Sequence, residues 1–204
     1  MTATETAPSP EQAKPERDRI GRLAHIIAQA ARFEGDPVGL GEGERAAIAR
    51  LDPDAELRPQ QVAALTRALV QADLEPEHWR PETWRRWALI AHGMALAGHD
   101  PKQRLGKQLF RAAVNESRVT KLLTARGDAF RQLLPRVLRL MASHEDGIKP
   151  NWDELGRLIL AQDRKDSTSQ VKAEELRLRI ASAYYSAERQ DARQSDATPS
   201  TESR

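Results

Sequence analysis

Apolar residues recur at intervals of three or four along most of this chain, and that spacing limits the fold more than any other feature. Ile20, Leu23 and Ile27 show it near the start, and Leu105 and Leu109 show it again later. Such spacing places apolar side chains on one face of an α-helix. Alternating runs of β-branched residues, which half-buried strands require, are missing. We therefore predict an all-α fold.

Glycine and proline residues divide this helical pattern, and one interruption separates two lobes. The sequence Gly98-His99-Asp100-Pro101 breaks the pattern sharply. We place there the boundary between an N-terminal helical lobe, residues 16–101, and a C-terminal bundle of four or five helices, residues 102–189. The segments 1–15 and 190–204 are polar and aperiodic, and we expect them to be disordered tails.

The tryptophans fit a structural role. We assign Trp79, Trp84 and Trp87 to the core of the N-terminal lobe, because buried aromatic rings dominate core energetics. Trp152 directly follows Asn151, a predicted helix N-cap, and we expect its ring to fold back over its own helix.

Two short motifs predict where the last helices begin. Asn151 with Glu154, and Ser167 with Gln170, each have the spacing of a capping box. In such a box each side chain accepts a hydrogen bond from the other residue's backbone amide.

The sequence offers no assembled catalytic chemistry. The absence of cysteine excludes disulfides, thiolate nucleophiles and thiolate zinc ligands. The five histidines include no pair at i, i+4, the spacing that places two metal ligands on one helix face. The glycine-rich stretch 39–43 contains an acid and lacks the Gly-Lys-Ser/Thr ending of a phosphate loop. We predict that the chain is not an enzyme and carries no metal or cofactor.

Hydropathy predicts a protein without membrane contact. No stretch approaches the roughly 18 apolar residues of a membrane span. The first residues also lack the basic-then-apolar pattern of a signal peptide. We therefore expect a cytoplasmic location.

Charge is distributed unevenly along the chain, although the net charge is only +2. Residues 1–101 carry 12 basic and 16 acidic side chains, whereas residues 102–189 carry 18 and 11. Within residues 102–139, ten basic side chains face only two acidic ones. A local excess of this size attracts polyanions, and the obvious polyanion is nucleic acid.

The basic side chains of this segment also recur at helical spacing. Three predicted helices would each present a basic row opposite their apolar stripe. No constellation of base-reading side chains accompanies the rows, so we expect contact with phosphates and not with base edges. The rows are Arg104, Lys107 and Arg111, then Arg118 and Lys121, then Arg136 and Arg139.

Several segments, taken in order and spacing, resemble the CasB family, which is the small subunit of the type I-E CRISPR Cascade complex. The resemblance extends over roughly residues 20 to 187, and none of its elements is a catalytic motif. The segments are residues 43–51, 104–109, 115–123, the Leu/Arg-rich helix through Arg139, and residues 148–155.

The resemblance implies a non-catalytic, all-helical subunit of an RNA-guided DNA surveillance complex in antiviral defence. Its implied protein partners are the repeated backbone subunit, the large subunit and a second copy of itself. Its implied nucleic-acid partners are the guide RNA and the target DNA, including the displaced strand, and it would stabilise both the hybrid and that strand.

Seven residues are candidates for nucleic-acid binding, on two different grounds. Lys107 and Arg118 match recurrent basic positions of the family, and Arg50 matches the basic end of an early helix. The other candidates depend mainly on the charge pattern, and they are Arg111, Lys121, Arg136 and Arg139.

Two other functions stay open at this stage. A helical DNA-binding regulator would require a helix-turn-helix with a recognition helix rich in base-reading side chains, and no such pair stands out. A protein-only helical adaptor would use the basic rows to meet an acidic partner.

Overall fold

The computed structural model describes residues 13–30, 40–162 and 164–197. Across these residues all regular secondary structure is helical, with nine α-helices, one short 3₁₀-helix and no strand, which confirms the predicted all-α class. No helix in the described ranges combines the length and the apolar character that crossing a membrane requires. The helices are α1 (Ala13–Gln29), α2 (Glu42–Ala49), α3 (Pro59–Gln71), the 3₁₀-helix (Pro76–His78), α4 (Pro81–Ala97), α5 (Leu105–Arg111), α6 (Glu116–Thr124), α7 (Gly127–Ala142), α8 (Trp152–Ala161) and α9 (Ser167–Ala197).

Prolines begin two of the helices, as their positions predict. Pro59 and Pro81 occupy the first turns of α3 and α4, where the missing amide hydrogen costs no intrahelical bond. Pro135 lies inside α7, so it donates no helical hydrogen bond to the Arg131 carbonyl.

The capping box predicted at α8 is half right. The Asn151 Oδ1 atom accepts a hydrogen bond from the Glu154 amide at 3.3 Å. The Glu154 carboxylate, however, accepts from the Leu105 amide at 2.8 Å and not from Asn151. The first amides of α5 lack intrahelical partners, and the buried Glu154 side chain satisfies one of them. A single carboxylate thus joins the beginnings of α5 and α8.

The box predicted at α9 is wrong by one residue. Asp166 is the capping residue, since its Oδ1 atom accepts from the Ser169 amide at 2.7 Å. Ser167 is already the first residue of α9. A carboxylate in this position also interacts favourably with the helix dipole.

Trp152 contacts α4 and does not fold back over its own helix, so that prediction is wrong. The ring is fully buried, and a methyl group added at Gly93 of α4 would overlap both the ring and Leu138. The indole Nε1–H donates to the Gly98 carbonyl at 2.8 Å. The glycine opens a slot in α4, and the indole fills it.

The other tryptophans pack as the sequence predicts. Trp87 is buried, and Trp79 stacks on it with ring centroids 5.8 Å apart. Trp84 meets the edge of Trp79 at 5.6 Å, and both outer rings pack against the core.

Helices from both predicted lobes contribute to a common hydrophobic core. Buried residues from α1 through α9 form one cluster, and α4 packs against both α7 and α8. The predicted lobe boundary near residue 101 therefore remains a proposal about which parts of the chain fold together.

α9 continues to Ala197, and its exposed residues 190–195 extend the helix without joining the core. The rest of the predicted tails, residues 1–12 and 198–204, lies outside the described residues.

The close packing of Trp152 against Gly93 predicts that a side chain added at position 93 destabilises the fold. We expect Gly93→Ala to lower the free energy of unfolding by about 1–3 kcal/mol, because the added methyl group overpacks the Trp152 ring. Urea unfolding measures the change. Gly43→Ala in α2 is the matched control, since a Cβ atom there meets no neighbour within 4 Å. Equal losses from both variants would contradict the packing described here.

Candidate nucleic-acid interface

A groove of about 460 Å³ lies between α7 and the loop that follows α2. Three arginines from the sequence prediction line it: Arg50, Arg136 and Arg139. Arg50 is the exposed C-cap of α2, and the other two are exposed on α7. The structure thus brings together residues that are nearly 90 positions apart in the chain.

The amphipathic pattern of α7 explains why its arginines face outwards. Leu134, Val137 and Leu138 are buried against the rest of the core. Arg136 and Arg139 alternate with the buried positions Leu134, Val137, Leu138 and Met141, and they lie on the opposite side of the helix. Burial of the apolar face therefore exposes the basic row.

A second hollow of about 420 Å³ lies between α6 and α7 and includes Lys121. Gln132 and Arg136 line both hollows, so the two form one surface along α7. We call the four cations on it, Lys121, Arg136, Arg139 and Arg50, the basic track.

The cations of the basic track are free of salt bridges with any residue that the structure describes. Arg131 lines the same groove and differs from them. Its Nε atom lies 2.6 Å from the Asp54 Oδ1 atom, and its guanidinium also pairs with Asp128. The track therefore carries available positive charge, whereas the charge of Arg131 is already neutralised.

The other predicted binding residues do not line the two hollows of the basic track. The Arg111 Nη2 atom lies 4.0 Å from the Asp146 Oδ2 atom. Arg111 lines a different hollow with Lys102 and Lys149. The two remaining candidates are exposed on α5 and α6, and they are Lys107 and Arg118. Four of the seven candidates thus share one surface, and the binding role of each stays a prediction.

Sequence reasoning missed two residues of the groove. Gln132 precedes Arg136 by one helical turn, so i, i+4 spacing on α7 could have indicated it. Asp54 is 77 positions from Arg131, and no local pattern signals that contact.

His92 is a buried residue of α4 that also lines the groove. Its Nδ1 atom lies 3.2 Å from the Ile48 carbonyl oxygen, which only accepts, so Nδ1 carries the proton. Burial lowers the pKa of His92 below its ordinary value of 6.5, and the Arg139 cation lowers it further, although the hydrogen bond to Ile48 opposes the shift. The ring is neutral at neutral pH and adds no charge to the groove.

Within the described ranges, no group of three or more acidic or histidine side chains could hold a metal ion. The groove presents four arginines, the amide of Gln132 and the carboxylates of Asp52 and Asp54, so cations outnumber acids, which suits anion binding by charge and hydrogen bonds.

A family model described as the CRISPR-associated protein Cse2 matches residues 44–185. The match covers well over half of the chain and includes every residue of the basic track. No curated protein and no solved structure gives a significant match.

The buried His92 predicts a pH dependence of stability. Because its pKa is lowered by folding, its contribution is complete above pH 6.5 and is lost as the pH falls through the lowered value. We expect the free energy of unfolding to decrease between about pH 7 and pH 5. His92→Asn keeps an amide N–H for the Ile48 carbonyl but cannot titrate, so its profile should be flatter.

Urea titrations at several pH values measure these profiles. Burial lowers the pKa of His99 as well, so His92→Asn should keep part of the acid-side decrease. Substitution of the exposed His78 is the matched control. Identical profiles for the parent and His92→Asn would show that His92 does not titrate as described.

Proposed function

The chain belongs to the family of the CRISPR-associated protein Cse2, a small subunit of the type I-E CRISPR Cascade complex, and from that premise we propose that its basic track binds the nucleic-acid backbone. In this role it stabilises the hybrid of guide RNA and target DNA and the displaced DNA strand. The complex is RNA-guided and acts in antiviral defence.

The observation that carries this proposal is the concentration of available positive charge on one surface. Four cations from α2, α6 and α7 share a continuous pair of hollows and are free of salt bridges with described residues. Cations that meet phosphates release condensed counterions, which supplies most of the affinity of non-specific nucleic-acid binding. A surface of this kind fits an extended phosphate backbone.

The chemistry of the track favours contact that is independent of sequence. Its side chains are guanidinium and ammonium groups, with the single amide of Gln132 beside them. Phosphate contacts position a nucleic acid but carry no base identity. Such contacts suit a subunit that accepts any guide and any target.

We propose that the subunit holds nucleic acid without cleaving it. The track pairs no nucleophile with a base, and the neutral His92 already uses its Nδ1 atom on the Ile48 carbonyl. This arrangement contributes affinity for nucleic acid and positions it.

Three predicted cations remain for other contacts within the complex, and these are Lys107, Arg111 and Arg118. We propose cytoplasmic assembly with the repeated backbone subunit, the large subunit and a second copy of the chain. The three cations are on α5 and α6 and do not line the two hollows of the track, and such neighbours can reach them.

Charge reversal on α7 tests the proposal. Arg136→Glu combined with Arg139→Glu should weaken binding of nucleic acid about equally for every sequence, because phosphates are alike. Each lost contact should also flatten the dependence of log affinity on log salt by roughly 0.7 to 0.9. Fluorescence anisotropy with labelled oligonucleotides of different sequence, over a range of salt concentrations, measures both effects.

The matched control reverses Arg19 and Arg80, which are exposed on α1 and at the start of α4 and lie outside the groove. All variants must first show the parent's melting curve. Equal losses from both pairs would contradict the proposed track, and so would a loss confined to one sequence.

A further inference from the structure

We propose that Asp54 is an internal competitor of the nucleic-acid phosphates for Arg131. Its carboxylate occupies a guanidinium that lines the same groove as the basic track, and it limits the affinity of that groove for polyanions. This inference rests on the proposed function of the track and concerns how tightly the track binds.

The geometry places two of the loop's three acids, Asp52 and Asp54, inside a cationic groove. The Asp54 Oδ1 atom lies 2.6 Å from the Arg131 Nε atom and joins the loop after α2 to α7. The Asp54 amide donates to the Asp52 Oδ1 atom at 3.0 Å, which holds the turn that presents Asp54. Both carboxylates line the groove beside Arg50 and Arg139.

Arg131 has the position of a further member of the basic track. It lies on α7 with Arg136 and Arg139, and all three line one groove. A free guanidinium there would add one more phosphate contact, since its planar donors match phosphate oxygens in pairs. Pairing with Asp54 withholds that contact in the unbound protein.

The pair is exposed enough to exchange. The Arg131 side chain is 23% exposed and the Asp54 side chain 39%. Ion pairs that solvent reaches contribute little to stability, so a phosphate can replace the carboxylate at small cost. The released carboxylate then still repels the bound phosphates. Asp54 thereby weakens the binding of phosphates in the groove.

A purely structural role for Asp54 predicts a different result. If the pair only ties the loop to α7, its loss loosens the loop and leaves binding unchanged or weaker. If Asp54 competes with phosphate, its neutralisation tightens binding. Whether neutralisation of Asp54 raises or lowers the Kd therefore distinguishes a structural role from competition with phosphate.

The test is Asp54→Asn in the full chain, with a fluorescein-labelled 20-nucleotide oligothymidine as the probe. We expect the Kd to fall about three- to fivefold near 0.1 M salt, because one repulsive charge is removed and Arg131 loses one of its two carboxylate partners. The slope of log affinity against log salt should steepen by at most roughly 0.7, the value for one full contact on a single strand, because Asp54 no longer competes for Arg131. In an Arg131→Gln background the steepening should disappear and most of the gain with it.

Glu56→Gln is the matched control, because it removes the same charge from an exposed position of the same loop. It should change the Kd far less. Asp128→Asn removes the other acid that pairs with Arg131, and it should also lower the Kd. This second variant keeps the test valid if Asp54→Asn lowers the melting temperature. A gain from Asp54→Asn equal to that from Glu56→Gln, or one undiminished without Arg131, would overturn the inference.

The experiments distinguish failure of the inference about Asp54 from failure of the proposed function. If reversal of Arg136 and Arg139 leaves the Kd unchanged, the proposed function fails. If that reversal weakens binding while neither Asp54→Asn nor Asp128→Asn tightens it, only the competitor role of Asp54 is refuted.

Discussion

The fit of the Trp152 indole into α4 is the contact on which the arrangement of the helices depends. The ring is fully buried where Gly93 provides no side chain, and its Nε1–H is satisfied by the Gly98 carbonyl. Large aromatic side chains contribute several kcal/mol when buried, so this contact fixes α8 on α4. Leu138 of α7 lies at the same slot, and α7 is held there too.

The buried contacts determine where the exposed charges lie. Because α7 turns its apolar face to α4, Arg136 and Arg139 face outwards. The His92 ring joins α4 to the Ile48 carbonyl of α2, and Arg50 follows two residues later. The core therefore supports a groove whose cations come from separate parts of the chain. Under the proposed function, this support holds the cations in place for contact with phosphates.

Local sequence patterns predicted the helices well, because periodicity and proline positions act within one or two turns. They failed where a side chain finds a distant partner. Glu154 caps α5 and not its own helix, and Trp152 enters α4, because the competing partners lie about 50 positions away. The basic rows contain three cations of the track, Lys121, Arg136 and Arg139, whose binding role stays a prediction. Only the folded chain shows that Arg50 joins α7 and that Asp54 pairs with Arg131.

Cross-linking from the centre of the track tests most directly whether it meets nucleic acid in the complex. Gln132 lines both hollows and suits replacement by a photoreactive amino acid, with the exposed Gln60 of α3 as the reference position. In a complex assembled on guide RNA and target DNA, the account predicts cross-links from position 132 to a nucleic-acid strand and few or none from position 60. Cross-links from position 132 to protein alone would contradict it.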